Sequence, residues 1–107
     1  MIISGGENIS SPEIEDALYQ HPGVLECAVI GVPHEKWGET PKALVVLRPG
    51  HTCTAEELLA FCREQLAHFK CPTSVDFIPE LPRTVTGKLQ KFKLRERYWA
   101  GATRRVN

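Results

Sequence analysis

The spacing of hydrophobic positions along this 107-residue chain changes several times, and each change marks an element. Ile14, Ala17 and Leu18 recur at the three-to-four-residue spacing of an amphipathic helix. Ser11 offers an N-cap oxygen, Pro12 takes the first helical position, and Glu13, Glu15 and Asp16 lie near the positive end of the helix dipole. His21-Pro22-Gly23 stops this helix. Residues 24 to 32 then form a Val/Ile-rich run around Ala28-Val29-Ile30, and Ala43-Leu44-Val45-Val46-Leu47 forms another, so two strands are predicted. A loop containing Pro33, Gly38 and Pro41 joins them, which favours an antiparallel pair. Arg48-Pro49-Gly50 turns the chain, and Thr54 with Glu57 has the capping-box spacing for a helix to about His68, its inner face carrying Leu58, Cys62, Leu66 and Phe69. After Pro72, Ser74-Val75-Asp76-Phe77-Ile78 alternates as a third strand, with Val75 and Phe77 on one face. A final helix runs from about Gln90 to Trp99, where Leu94 and Tyr98 form an i, i+4 pair. The order predicts an α+β domain: a small, mostly antiparallel three-stranded sheet covered by helices, preceded by a short β-turn segment around Gly5 and Gly6.

Length and composition narrow the class. A chain of 107 residues is one domain by size, and 42% hydrophobic with 24% charged residues fits a soluble globular fold. No apolar run approaches the roughly 18 residues of a membrane span, and no signal-type segment follows Met1, so a cytoplasmic setting is expected. Cys27, Cys53, Cys62 and Cys71 form no CxxC pair and read as free thiols. A zinc site from Cys62, His68 and Cys71 lacks the paired close spacings such sites use, so no metal is expected in this domain.

Formal net charge is zero, but residues 1 to 82 carry five Lys/Arg against twelve Asp/Glu, whereas eight basic residues and only Glu96 follow from 83 onward. This basic tail fits a solvated helix face, a nucleic-acid patch or a segment that meets phosphates. Duplex binding is disfavoured, because the acidic body opposes a polyanion and no zinc-finger or RRM signature is present.

Three places could carry chemistry. In Pro82-Arg83-Thr84-Val85-Thr86-Gly87-Lys88, a lysine follows a glycine in a polar loop, which offers a movable cation for a carboxylate or phosphate; a plain surface turn is the alternative. A Walker loop is excluded, since Pro82 stands where glycine is needed and Leu89 where a hydroxyl residue is needed. Trp37, in the loop between the first two strands, either packs on the core edge or lines a ligand path. Ser4-Gly5-Gly6-Glu7-Asn8 is a tight turn or a place of close backbone approach to a ligand. Ser4 is in no GxSxG elbow, so a serine hydrolase is not indicated.

These strings occur in a telling order. Ile2-Ile3-Ser4-Gly5-Gly6-Glu7-Asn8-Ile9 with Pro12-Glu13-Ile14-Glu15 resembles the segment after the interdomain hinge of acyl-CoA synthetases in the adenylate-forming superfamily, and Pro82 to Lys88 resembles their late Px4GK motif. Val29-Ile30-Gly31-Val32-Pro33, Trp37-Gly38-Glu39 and Phe69-Lys70 with Pro72 fall between them as in that family, so the resemblance spans essentially the whole chain. It implies that residues 1–107 are the mobile C-terminal domain of a ligase that joins a carboxylic acid to AMP from ATP and then transfers the acyl group to CoA. The partner is then the enzyme's own large N-terminal domain, which would hold most of the acid and ATP sites and the Mg2+ ion. Lys88 would be the catalytic lysine of adenylation, and Gly5, Gly6, Glu7, Trp37 and Phe69 would face the CoA pantetheine in a second pose. Cys71 and Thr73 stand where some relatives carry basic residues. The alternative is a free-standing, noncatalytic interaction or regulatory module of the same fold.

Overall fold

A computed structural model describes residues 2–67 and 70–106. The chain opens with β1 (Ile2–Ser4) and β2 (Glu7–Ile9), an antiparallel hairpin whose two-residue turn is Gly5-Gly6. Helix α1 spans Ser11–Tyr19 and buries Ile14, Ala17 and Leu18, the face the spacing predicts. Its N-cap is Ser10, one residue earlier than the predicted Ser11, and Pro12 sits in the first turn, where a missing N–H leaves no bond unmade.

Strands β3 (Val24–His34) and β4 (Gly38–Leu47) pair antiparallel from Val24↔Leu47 to His34↔Gly38. They run straight through Pro33 and Pro41, which as loop residues had suggested shorter strands. Pro33 lies on the sheet edge next to the turn, and Pro41 precedes the part of β4 that pairs with the next strand, so neither removes a ladder bond that is needed. The loop shrinks to Glu35-Lys36-Trp37.

Helix α2 covers Ala55–Gln65, and Thr54 caps it by accepting the Glu57 N–H at 3.1 Å, as the capping-box spacing predicts. It ends three residues short of the expected His68, because Leu66 already has extended backbone. Leu58 and Cys62 are its buried residues; Phe69 lies outside the described residues. Strand β5 (Ser74–Phe77) then joins β4 in parallel, after a crossover through α2, and the sheet order is β3-β4-β5. The α+β class therefore holds. Antiparallel pairing dominates a three-stranded sheet that is mixed through β5. Helix α3 extends over Lys91–Val106, beyond the expected end at Trp99, where the apolar spacing that marked it fades.

Both faces of the sheet are covered, which explains why its strands read as continuous apolar runs. Cys27, Val29, Ala43, Val45 and Val75 pack with Ile2, Ile9, Ile14, Leu18, Leu58 and Cys62 on one side. Ala28, Ile30, Leu44 and Val46 pack with Leu81 and Leu94 on the other, with Tyr98 against them. All four cysteines are free thiols; burial pushes Cys27 up to about 12 and Cys62 up to about 11, keeping both as core thiols.

The outer edge of β3 is closed by side chains instead of a further strand. Tyr19 Oη accepts the Cys27 N–H at 3.2 Å, and Glu15 Oε2 accepts the Val29 N–H at 2.8 Å. Lys91 Nζ donates to the Val29 carbonyl at 3.2 Å, and Trp99 Nε1 donates to the Gly31 carbonyl at 2.7 Å. Pairing with a foreign strand is thereby blocked, and α1 and α3 are fixed on β3.

Candidate functional site

The loop that ends in Lys88 is an ordered hairpin. Arg83 and Leu89 form an antiparallel bridge, Thr84 N–H donates to the Lys88 carbonyl at 2.9 Å, and Gly87 N–H donates to the Thr84 carbonyl at 2.9 Å. Thr84 Oγ1 also accepts the Lys88 N–H at 3.0 Å. Gly87 has φ +90°, a left-handed conformation open to glycine at little cost, and this fits a three-residue hairpin loop. Leu81 and Leu89 seat the hairpin in the core under α3. Lys88 itself is exposed, and no side chain among the described residues pairs with its ammonium.

Three other basic residues of the tail meet carboxylates. Arg83 pairs with Glu26 at 2.5 Å, Lys91 with Glu15 at 2.7 Å, and Arg95 approaches Glu39 at 3.9 Å. The charge asymmetry seen along the sequence is thus partly cancelled across the fold, where tail cations meet carboxylates of the acidic body. A nucleic-acid surface loses these charges. Lys88 keeps its charge for solvent or a ligand.

A second cluster forms at the Gly5-Gly6 turn. Both glycines have positive φ, +57° and +87°, the geometry of a type I′ hairpin turn. Gly5 N–H donates to the Trp37 carbonyl at 3.2 Å, and a Cβ on Gly5 would lie 3.4 Å from Trp37 Cδ1. Trp37 is 42% exposed and stacks on His34, ring centroids 4.5 Å apart and planes 11° apart, so it forms an open aromatic platform. Nothing lies within 4 Å of a Cβ placed on Gly6, which leaves bare backbone facing solvent. Of the residues the sequence nominated here, Gly5, Gly6 and Trp37 are brought together; Glu7 continues the hairpin as the partner of Ser4, and Phe69 lies outside the described residues.

Two residues the sequence did not single out brace these loops. Glu39 Oε1 accepts the Ile3 N–H at 2.9 Å, tying the hairpin to β4, and its carboxylate lies over Gly31. Arg83 spans from the lysine hairpin to β3, and in the sequence it stands inside the lysine loop with no role of its own. Cys71 is buried, whereas Thr73 is exposed and its Oγ1 donates to the Pro41 carbonyl at 3.2 Å.

The two clusters are far apart. Glu26, which holds the lysine hairpin, and His34, which carries the Trp37 ring, lie eight residues apart on β3, roughly 25 Å of extended strand.

Comparison with known proteins places this geometry. Residues 13–88 match the family of AMP-binding enzyme C-terminal domains. The chain is 50% identical over 107 residues to a peroxisomal benzoate–CoA ligase of Arabidopsis thaliana, covering 90% of this chain and 18% of that one. It is 48% identical over 97 residues to a mitochondrial medium-chain acyl-CoA ligase of Danio rerio, covering 91% of this chain and 16% of that one. The crystal structure of ATP-bound MatB from Rhodopseudomonas palustris superposes with TM-score 0.88 at 45% identity, over 92% of this chain and 20% of that one. The chain thus spans about a fifth or less of the length of these proteins.

Proposed function

The chain belongs to the family of AMP-binding enzyme C-terminal domains, and on that premise we propose that it is the mobile, lysine-bearing domain of an AMP-forming acid–CoA ligase. The observation that carries this reading is the exposed Lys88 ammonium at the end of an ordered hairpin, remote from the Gly5-Gly6 and Trp37 cluster.

In the first half-reaction a carboxylate oxygen attacks the α-phosphorus of ATP, and pyrophosphate leaves. Two anions must approach each other, so a cation held between them favours the transition state over the separated reactants. Lys88 supplies that charge. Its backbone N–H and carbonyl are both engaged by Thr84, so the side chain swings from a fixed root. The magnesium ion that neutralises triphosphate charge belongs, in this proposal, to the large domain.

In the second half-reaction the CoA sulfur attacks the acyl carbon, and AMP leaves. The extended pantetheine arm needs a narrow passage, and the Gly5-Gly6 turn offers backbone with no side chain in the way. Trp37 provides an apolar wall beside it. The roughly 25 Å of strand between their anchors on β3, Glu26 and His34, supports a domain that presents first one and then the other. A cytoplasmic setting remains part of the proposal, supported by four free thiols.

The relatives' printed names range over benzoate and medium-chain acyl substrates, which supports carboxylic acids as the substrate class. A pyrophosphate-release assay with a panel of acids tests the whole. The full-length enzyme carrying this chain is expected to turn over acid, ATP and CoA, and the 107-residue chain alone is expected to be inert, because it supplies a cation without the pocket that positions the reactants. Acid-dependent turnover by the isolated chain would contradict the proposal and favour a self-contained activity.

A further inference from the structure

We propose that Arg83 and Glu26 form a clamp that positions Lys88, so that strand β3, more than the hairpin itself, fixes where the ammonium lies during adenylation. This rests on the reading of Lys88 given above. The geometry is specific: Arg83 Nη1 donates to the Gly87 carbonyl at 2.9 Å, and Nη2 donates to Glu26 Oε1 at 2.5 Å. The Gly87 carbonyl belongs to the peptide bond that leads into Lys88. Holding that peptide plane holds the root of the lysine side chain.

The hairpin's other bonds define its internal shape but not its tilt against the body of the domain. Thr84 closes on Lys88 and Gly87, and Gln90 N–H donates to the Pro82 carbonyl at 2.9 Å, all within residues 82–90. Beyond the apolar seat of Leu81 and Leu89, the polar tie from the hairpin to β3 among the described residues is the Arg83–Glu26 pair. Gly87 at φ +90° is the swivel that this tie restrains. A guanidinium suits the task because its fork reaches two acceptors on different segments at once, which one ammonium does not do in the same geometry.

Both partners are partly exposed, at 38% and 31%, and such pairs add little to global stability. The consequence therefore belongs to preorganisation: a donor helps only if it already lies where charge develops, and small misplacements lower rates by up to roughly 10²-fold. Arg83 and Glu26 are positioning residues, and the ammonium of Lys88 remains the group that meets substrate.

The test uses the full-length enzyme with both half-reactions measured separately. Arg83→Lys is expected to lower kcat for adenylation roughly tenfold to 10²-fold, with KM for ATP and acid little changed, unaltered acyl transfer from supplied acyl-adenylate, and an unchanged melting temperature. Glu26→Gln, which keeps an acceptor oxygen, should lose less than Glu26→Ala. In a Lys88→Ala background, Arg83→Lys should have no further effect on adenylation, and in the single variant the amide hydrogens of Gly87 and Lys88 should exchange faster. Full adenylation by Arg83→Lys, beside an impaired Lys88→Ala, would overturn the clamp while leaving the role of Lys88 intact. Equal loss of both half-reactions with a lowered melting temperature would overturn it in favour of a structural pair. Normal adenylation by Lys88→Ala would remove the reading on which it rests.

Discussion

Gly31 shows how one residue constrains its neighbours. A Cβ there would lie 2.4 Å from Glu39 Cδ and 2.7 Å from Cγ, so the Glu39 side chain occupies the space that any other residue would need. That side chain accepts the Ile3 N–H at 2.9 Å and approaches Arg95, and moving it would release both. Gly31→Ala is therefore expected to destabilise the domain by about 1–3 kcal/mol, the range for forced overpacking, read as a shift in urea midpoint. The same change in a Glu39→Ala background should cost much less, because the obstructing atoms are gone. Equal costs in the two backgrounds would show that Glu39 is not the obstruction. Sequence reasoning placed Gly31 in a recurring string but had no means to see this contact, since it joins opposite strands through a register that turn residues obscured. Arg83 was hidden for a related reason: composition counts a guanidinium as charge, whereas its two acceptors lie 57 and four residues away.

At the scale of elements, local signals served best where the physics is local. Thr54 with Glu57 capped its helix as the spacing requires, and the buried faces of α1 and α3 follow from their apolar periodicity. Pro33, Gly38 and Pro41 misled because proline within a strand is tolerated wherever its missing N–H faces no ladder partner, a condition visible only once neighbours are placed. The parallel entry of β5 depends on the crossover through α2, for which strand alternation carries no sign. Asp76 on β5 then helps seat α3: desolvation pushes its carboxyl up, and hydrogen bonds from Tyr98 and Lys42 more than reverse this, leaving it below its ordinary value. Tyr98, half-buried and bound to that carboxylate, is pushed up to about 12 by desolvation and stays a neutral donor.

The Gly5-Gly6 hairpin yields an element-scale prediction in the full-length enzyme. Gly6→Leu adds a side chain where none lies within 4 Å and strains a residue at φ +87°, so acyl transfer to CoA should fall while adenylation stays largely intact. Gly6→Asn, which tolerates left-handed backbone and is smaller, should lose less. Equal loss of both steps in Gly6→Leu would mark the turn as purely structural.

For the whole molecule, the fold joins two candidate loops to one core. The edge of β3 is sealed by Glu15, Tyr19, Lys91 and Trp99, and acidic body and basic tail are joined by ion pairs. Motif order made the family legible from sequence; the separation of the two ends along one strand became visible only in three dimensions. The central claim is that Lys88 acts at one end and in one half-reaction. Rapid-quench measurement of each half-reaction in full-length Lys88→Ala tests it most directly. Adenylation is expected to fall at least the ~10²-fold to 10³-fold typical of losing one preorganised electrostatic donor, with acyl transfer from supplied acyl-adenylate little changed. Normal adenylation in the folded variant, or equal loss of both steps, would contradict the account.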